Sequence, residues 1–214
     1  MIRNILFDLG KVLVPFDREI GLNRLRPHLP GEMALLLTAD PNSFLALFQE
    51  PAHQLETGRM DFDEFASTMQ RILGTRVDRD EFRLMWCDIF WLDERVVELG
   101  ERLSVRYGTY LASNTSRVHY RWILRRFPRV AFYRDAALSY ELGVMKPDPA
   151  YYEKAVEQFG IEPSESVFID DRKENVASAV EAGLRGIRFR NHDQLVNELQ
   201  KLGVDFPAPS RGDR

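Results

Sequence analysis

Two patterns of apolar and polar positions divide this chain. In one, short apolar runs end in polar residues and alternate with helical spacing. Ile5, Leu6 and Phe7 form the first run, and residues 4–9 read as a strand, with Gly10 loosening the backbone after it. The same rhythm resumes beyond residue 93. Helices are expected over 94–106, 116–127, 148–159, 173–182 and 192–202, and strands over 109–113, 136–139, 166–170 and 186–189. Gly108, Pro128, Gly160 and Gly183 close the helices they follow, and Pro149 suits a first helical turn. Strand–helix alternation of this kind predicts a parallel sheet with helices on both faces.

The second pattern lies between. From Asp17 to Leu92 no strand-like run occurs, and apolar residues recur at i, i+3, i+4 over 32–37, 43–48, 63–73 and 80–90. Gly58 breaks the chain before the third of these, and Asp61 and Asp63 are placed to cap it. The expected architecture is therefore α/β: a Rossmann-like, doubly wound parallel sheet core with a small helical cap inserted after the first strand. The core takes residues 1–16 and 93–206, the cap 17–92, and the Pro-containing polar tail 207–214 is expected to be disordered. Ligands in open α/β sheets bind outside the C-terminal strand edge, so an insertion leaving that edge becomes a lid.

Composition narrows the classes. The 214 residues are 44% hydrophobic and 29% charged, enough for a full core without staples. A net charge of −4 gives no basic field for nucleic acid, and no apolar run approaches a membrane span. A lone cysteine, Cys87, excludes an internal disulfide and reads as a small buried apolar residue. A soluble, cytoplasmic protein is expected.

The chemistry gathers at strand ends. The first strand delivers Asp8, the run TYLAS delivers Ser113 with Asn114 after it, the loop after 136–139 carries Lys146 before Pro147, and Val167–Ile169 lead into Asp170 and Asp171. Three carboxylates on one edge repel each other unless a cation sits among them, and hard oxygen donors favour Mg²⁺ shared with a phosphate. Lys146 is suited to neutralise phosphoryl oxygens, Ser113 to donate to one, and Asp8 to attack phosphorus.

These stretches resemble the haloacid dehalogenase-like hydrolase superfamily over nearly the whole chain except the tail. FDLGKVL at 7–13, LASNT at 111–115, GVMKPDPAYY at 143–152 and VFIDDRKENVASAVEAG at 167–183 resemble its four motifs in order, and LETGRMDFDEF at 55–65 resembles a stretch common in its caps. The resemblance implies that Asp8 is the phosphoryl-accepting nucleophile and that the carbonyl of Gly10 ligates Mg²⁺. It implies phosphoryl binding by Ser113 with Asn114 beside it, charge balance by Lys146, and direct metal ligation by Asp171, supported by Asp170 and Asn175. The implied activity is Mg²⁺-dependent hydrolysis of a small phosphorylated metabolite through an aspartyl phosphate.

One departure matters. Most phosphatases of the superfamily carry Asp two residues after the nucleophile as general acid and base, and here Gly10 stands there, with Lys11 in the usual glycine position. A positioned acid/base is worth about 10²–10⁴-fold. Good leaving groups, such as those of sugar 1-phosphates, tolerate its loss, and a bacterial subset with a similar Asp-Leu-Gly start includes sugar-phosphate phosphatases. Gly10 also motivates the alternative of a weak or retired phosphate-binding member. The pair Asp170–Asp171 argues for metal and phosphate over 2-haloacid dehalogenation. Glu56 and His53, in the cap, are candidates for a substitute acid, though such residues more often serve packing or surface. Met85, Trp86, Phe90 and Trp91 are expected in the cap's apolar core or its seam with the sheet, and Trp122 in helix packing.

Overall fold

A computed structural model describes residues 1–205, so the expectation for the tail at 207–214 lies outside the described residues. Five strands, β1 (Asn4–Phe7), β2 (Gly108–Ser113), β3 (Asp135–Leu138), β4 (Ser166–Asp170) and β5 (Arg185–Arg188), form one parallel sheet in the order β3-β2-β1-β4-β5. Strand β1 ends one residue before Asp8, and the expected strand over 136–139 starts and stops one residue earlier, because Ser139 begins a short helix, α9 (Ser139–Leu142).

The central strands are apolar without alternation because both of their faces are covered. Ile5, Phe7, Leu111, Val167 and Ile169 point to one side. There they meet Val96, Val97 and Leu103 of α7 (Glu94–Ser104), Ile123 of α8 (Arg117–Arg126) and Leu195 and Leu199 of α12 (His192–Lys201). Leu6, Tyr110, Ala112 and Phe168 point to the other side, against Tyr151, Tyr152 and Ala155 of α10 (Pro149–Phe159) and Ala179 of α11 (Lys173–Glu181). β1 lies between β2 and β4, with Phe7 opposite both Leu111 and Ile169. Their ends therefore lie side by side at the switch point of the sheet.

Between β1 and α7 run α1 (Arg18–Leu25), α2 (Gly31–Ala39), α3 (Pro41–Ala46), α4 (Gln49–Glu56), α5 (Phe62–Leu73) and α6 (Arg79–Cys87). They share their own buried cluster, including Leu37, Phe44, Leu55, Phe65, Met69 and Phe82. The expected cap of α5 forms as a full capping box: Asp61 accepts from the backbone of Glu64, and Glu64 returns the bond. Met85 is buried, and Trp86 packs on Phe48, Phe65 and the imidazole of His119 from α8. Phe90 packs on Phe16 and Trp122 is half-buried. Trp91 departs from expectation. It is 46% exposed, because its segment is the return link to α7, fixed through the backbone by Trp91 N–H to the Pro15 carbonyl at 3.0 Å. Cys87 is fully buried, and burial pushes its thiol up to about 12. No helix among the described residues is long and apolar enough to cross a membrane.

Candidate active site

The strand edge and the inserted helices enclose a cavity of about 770 Å³. Asp8, Gly10, Ser113, Asn114, Lys146, Asp171 and Asn175 line it on the sheet side. Asp170 lies just behind them and is fully buried. Residues from four separate parts of the chain thus meet, as the strand order requires.

Lys146 is the hub. Its Nζ donates to Asp8 Oδ1 at 2.9 Å, to Asp170 Oδ2 at 2.7 Å and to the Ala112 carbonyl at 2.8 Å. All three ammonium protons are therefore satisfied. Burial by itself would depress this ammonium, but the charges of Asp8 and Asp170 hold it above its ordinary range. The loop carrying it is fastened from two sides. The side-chain amide of Asn114 exchanges two 2.8 Å bonds with the backbone of Lys146, and Ser178 of α11 donates to the Pro147 carbonyl at 2.6 Å. Asn114 thus reaches the cavity wall with both ends of its amide engaged in holding Lys146.

Asp170 serves the geometry. Its Oδ1 accepts from Arg172 N at 2.8 Å, Asn175 Nδ2 lies 3.0 Å from both its oxygens, and Oδ2 takes the lysine bond. Asp171 has no such ties. It is half-buried, and burial and the neighbouring Asp170 charge raise its carboxyl above the usual range, against the Lys11 ammonium. Burial pushes Asp8 up to about 7, with the Lys146 charge opposing and the Asp170 charge adding to the shift.

The donor chemistry suits a hard divalent cation. One oxygen each of Asp8, Asp170 and Asp171 lie within 4.8 Å of one another, and Asn175 Oδ1 is buried without a hydrogen-bond partner. Three crowded carboxylates and an orphaned acceptor are what a cation with its waters would satisfy.

Some functional neighbours carry no sequence signal of their own. Lys11, Arg18 and Arg172 also line the cavity, adding positive charge that suits an anion. Lys11 sits in the left-handed region at φ 59°, where glycine is the usual occupant, and only the family pattern marks its position as unusual. Glu56 and His53 line the cavity from α4. His119 does too, but it stacks on Trp86, bonds its carbonyl at 3.0 Å, and is held down to about 4 by burial.

A family model of haloacid dehalogenase-like hydrolases matches residues 2–183. The chain is similar to a D-ribitol-5-phosphate phosphatase of Bacteroides thetaiotaomicron, 27% identical over 208 residues that cover 93% of this chain and 97% of that protein. Among solved structures it is similar to a HAD family enzyme of Bacteroides thetaiotaomicron in complex with magnesium and inorganic phosphate. The TM-score is 0.77 and the identity 27%, over 89% of this chain and 95% of that one. A HAD-like family hydrolase from Porphyromonas gingivalis is similar with a TM-score of 0.76 and 25% identity, over 96% and 99% of the two chains.

Proposed function

The chain belongs to the haloacid dehalogenase-like hydrolases, and on that premise we propose that it is a Mg²⁺-dependent phosphohydrolase of a small phosphorylated metabolite, working through an aspartyl phosphate on Asp8. The observation that carries this reading is the buried Asp8–Lys146–Asp170 network at the strand edge, with the unengaged carboxyl of Asp171 beside it. It holds one carboxylate against an ammonium while leaving room at the cavity for a phosphoryl group. The complex of magnesium and phosphate with a similar HAD family enzyme supports the choice of metal and group.

Asp8 Oδ forms the bond to phosphorus as the ester bond breaks, and Lys146 offsets charge on Asp8 and the phosphoryl oxygens. Ser113, buried at the end of β2, offers a hydroxyl to one of those oxygens. Asp8, Asp171 and the Gly10 carbonyl would hold the metal, with Asp170 and Asn175 orienting them. When bound, Mg²⁺ supplies charge neutralisation for the phosphoryl group. The inserted helices act as the cap over the site. Their largely apolar cavity wall, with Leu22, Phe48, Phe82 and Met85, is suited to contact the organic part of the ester. The relative's named substrate, D-ribitol 5-phosphate, is the ester of a primary alcohol. Primary alkyl phosphates are therefore the first class to assay, beside the sugar 1-phosphates that a glycine at position 10 favours.

The test is turnover of p-nitrophenyl phosphate with Mg²⁺. Asp8→Asn is expected to lower it on the order of 10³-fold or more, and wild-type turnover by that variant would overturn the covalent mechanism. Binding of Mg²⁺ and phosphate without hydrolysis of a broad ester panel would instead favour a retired, phosphate-binding role.

A further inference from the structure

We propose that Glu56 is the general acid and base of this site, acting from the inserted helices in place of a side chain at position 10. The inference rests on the phosphohydrolase reading above, with Asp8 as nucleophile.

Position 10 is glycine and supplies no acid, and a side chain there would be crowded. A Cβ on Gly10 would sit 3.2 Å from the ring of Phe16, and that ring is itself packed edge-on against Phe90 at 5.8 Å between centroids. The protons of the reaction must therefore be handled from elsewhere on the cavity wall. Four carboxyl groups line the cavity: Asp8, Asp17, Glu56 and Asp171. Asp8 is the nucleophile, Asp171 belongs to the metal cluster, and Asp17 caps α1 by accepting from Glu19 N at 2.8 Å. That leaves Glu56, whose carboxyl makes no hydrogen bond or ion pair among the described residues.

The backbone of Glu56 is fixed to the strand edge. Ser139, directly after β3, donates its hydroxyl to the Glu56 carbonyl at 2.6 Å and accepts the Thr115 N–H at 3.0 Å. Thr115 directly follows Ser113 and Asn114. Two residues beyond Glu56, Gly58 adopts φ 71° and approaches Tyr140 so closely that a Cβ would stand 2.2 Å from its carbonyl oxygen. Glu56 is thus a residue of the insert held, through Ser139, to the loop that carries Ser113 and Asn114. Burial raises its carboxyl above the usual range, with Arg18 of α1 and Arg172 at the end of β4 opposing. Lys11, Asp17, His53 (one turn back on α4) and His119 are the other titratable groups that line the cavity outside the cluster around Asp8. A buried carboxyl whose proton is held more tightly than usual is suited to give it to an alkoxide.

The proton balance is complete. Asp8 Oδ bonds to phosphorus, the ester P–O bond breaks, and the leaving oxygen takes the Glu56 proton to depart as an alcohol. Glu56, now a carboxylate, takes one proton from a water whose oxygen bonds to phosphorus as the Asp8–phosphorus bond breaks. Inorganic phosphate leaves, and both carboxyls return to their starting states.

The test compares leaving groups in wild type and Glu56→Gln, with folding checked by circular dichroism. With n-butyl phosphate, which needs protonation, kcat/KM is expected to fall ~10²–10⁴-fold. With p-nitrophenyl phosphate the fall should be much smaller. Because dephosphorylation of Asp8 also loses its base, that ester should give a burst of one nitrophenolate per enzyme followed by a slow phase. The pH profile on the butyl ester should lose its alkaline limb, and Glu56→Asp should restore part of the rate. Equal losses on both esters without a burst would make Glu56 a structural residue, and no loss on the butyl ester would remove it from the mechanism. If wild type hydrolyses neither ester, the phosphohydrolase reading itself fails and this inference with it.

Discussion

The two walls of the cavity are built on opposite principles. On the sheet side, the central polar atoms are paired: Lys146 uses all three protons and both oxygens of Asp170 have partners, while Asp171 and Asn175 Oδ1 are left for a cation. On the side of the inserted helices the wall is mostly apolar, and its carboxyl, Glu56, stands unpaired. The rigid wall suits atoms that must be within a fraction of an ångström of their reacting position. The apolar wall imposes shape without dictating which hydrogen bonds a ligand must make. The two walls are joined at Glu56, Gly58 and Ser139, and again where His119 of α8 stacks on Trp86 and bonds its carbonyl.

The largest break comes from the paired wall. Lys146→Met leaves Asp8 and Asp170 buried beside each other without their shared cation. It is expected to cost about 3 kcal/mol or more of stability and about 10²–10³-fold in kcat. Urea unfolding and turnover measure these, and a variant near wild type in both would mean the network is dispensable.

The junction comes next. Gly58→Ala is expected to push the 56–58 turn off the Tyr140 carbonyl, since both the clash and the left-handed backbone oppose a side chain. The expected outcome is a modest loss of stability, about 1–2 kcal/mol, with a larger relative loss in kcat/KM on alkyl esters. Unchanged kcat/KM would mean the insert supplies only shape.

The smallest effect is a pH dependence confined to the sheet side. Asp8 is raised from 3.8 to about 7, by burial first, with Lys146 opposing and Asp170 adding. The folded protein without metal therefore holds a proton that the unfolded chain has released, and this contribution to stability is present at low pH and lost as pH rises through about 7. A cation at Asp8 competes with the same proton, so Mg²⁺ should bind more weakly below about pH 7. The thermal shift on adding Mg²⁺ should be larger at pH 8 than at pH 5.5, and Asp8→Asn should flatten that difference. An equal shift at both pH values in the wild type would place the ion elsewhere.

How much was legible in the chain follows the same division. The buried strands were readable because a parallel sheet covered on both faces demands continuous apolar runs such as Ile5–Phe7 and Val167–Ile169. Helices α5 and α6 were readable because one face packs against the insert's own core. Helices α1 and α4 were not among the expected elements. Leu25 is the one buried residue of α1, and α4 starts with Pro51 in its first turn and turns Ala52, His53 and Glu56 to the cavity, so neither keeps a full apolar stripe.

The sequence by itself determined which residues the candidate site contains: a carboxylate at each of two strand ends, a lysine before a proline, and a glycine where an acid usually stands. Those are properties of residue type and local spacing. Only the tertiary structure decided the rest. It set Asn114 to hold Lys146 rather than stand free, filled the space beside Gly10 with Phe16, and tied Glu56 to Ser139 across 83 positions of the chain. Contacts of that range depend on how two packed bodies meet, and no local pattern of residues encodes them.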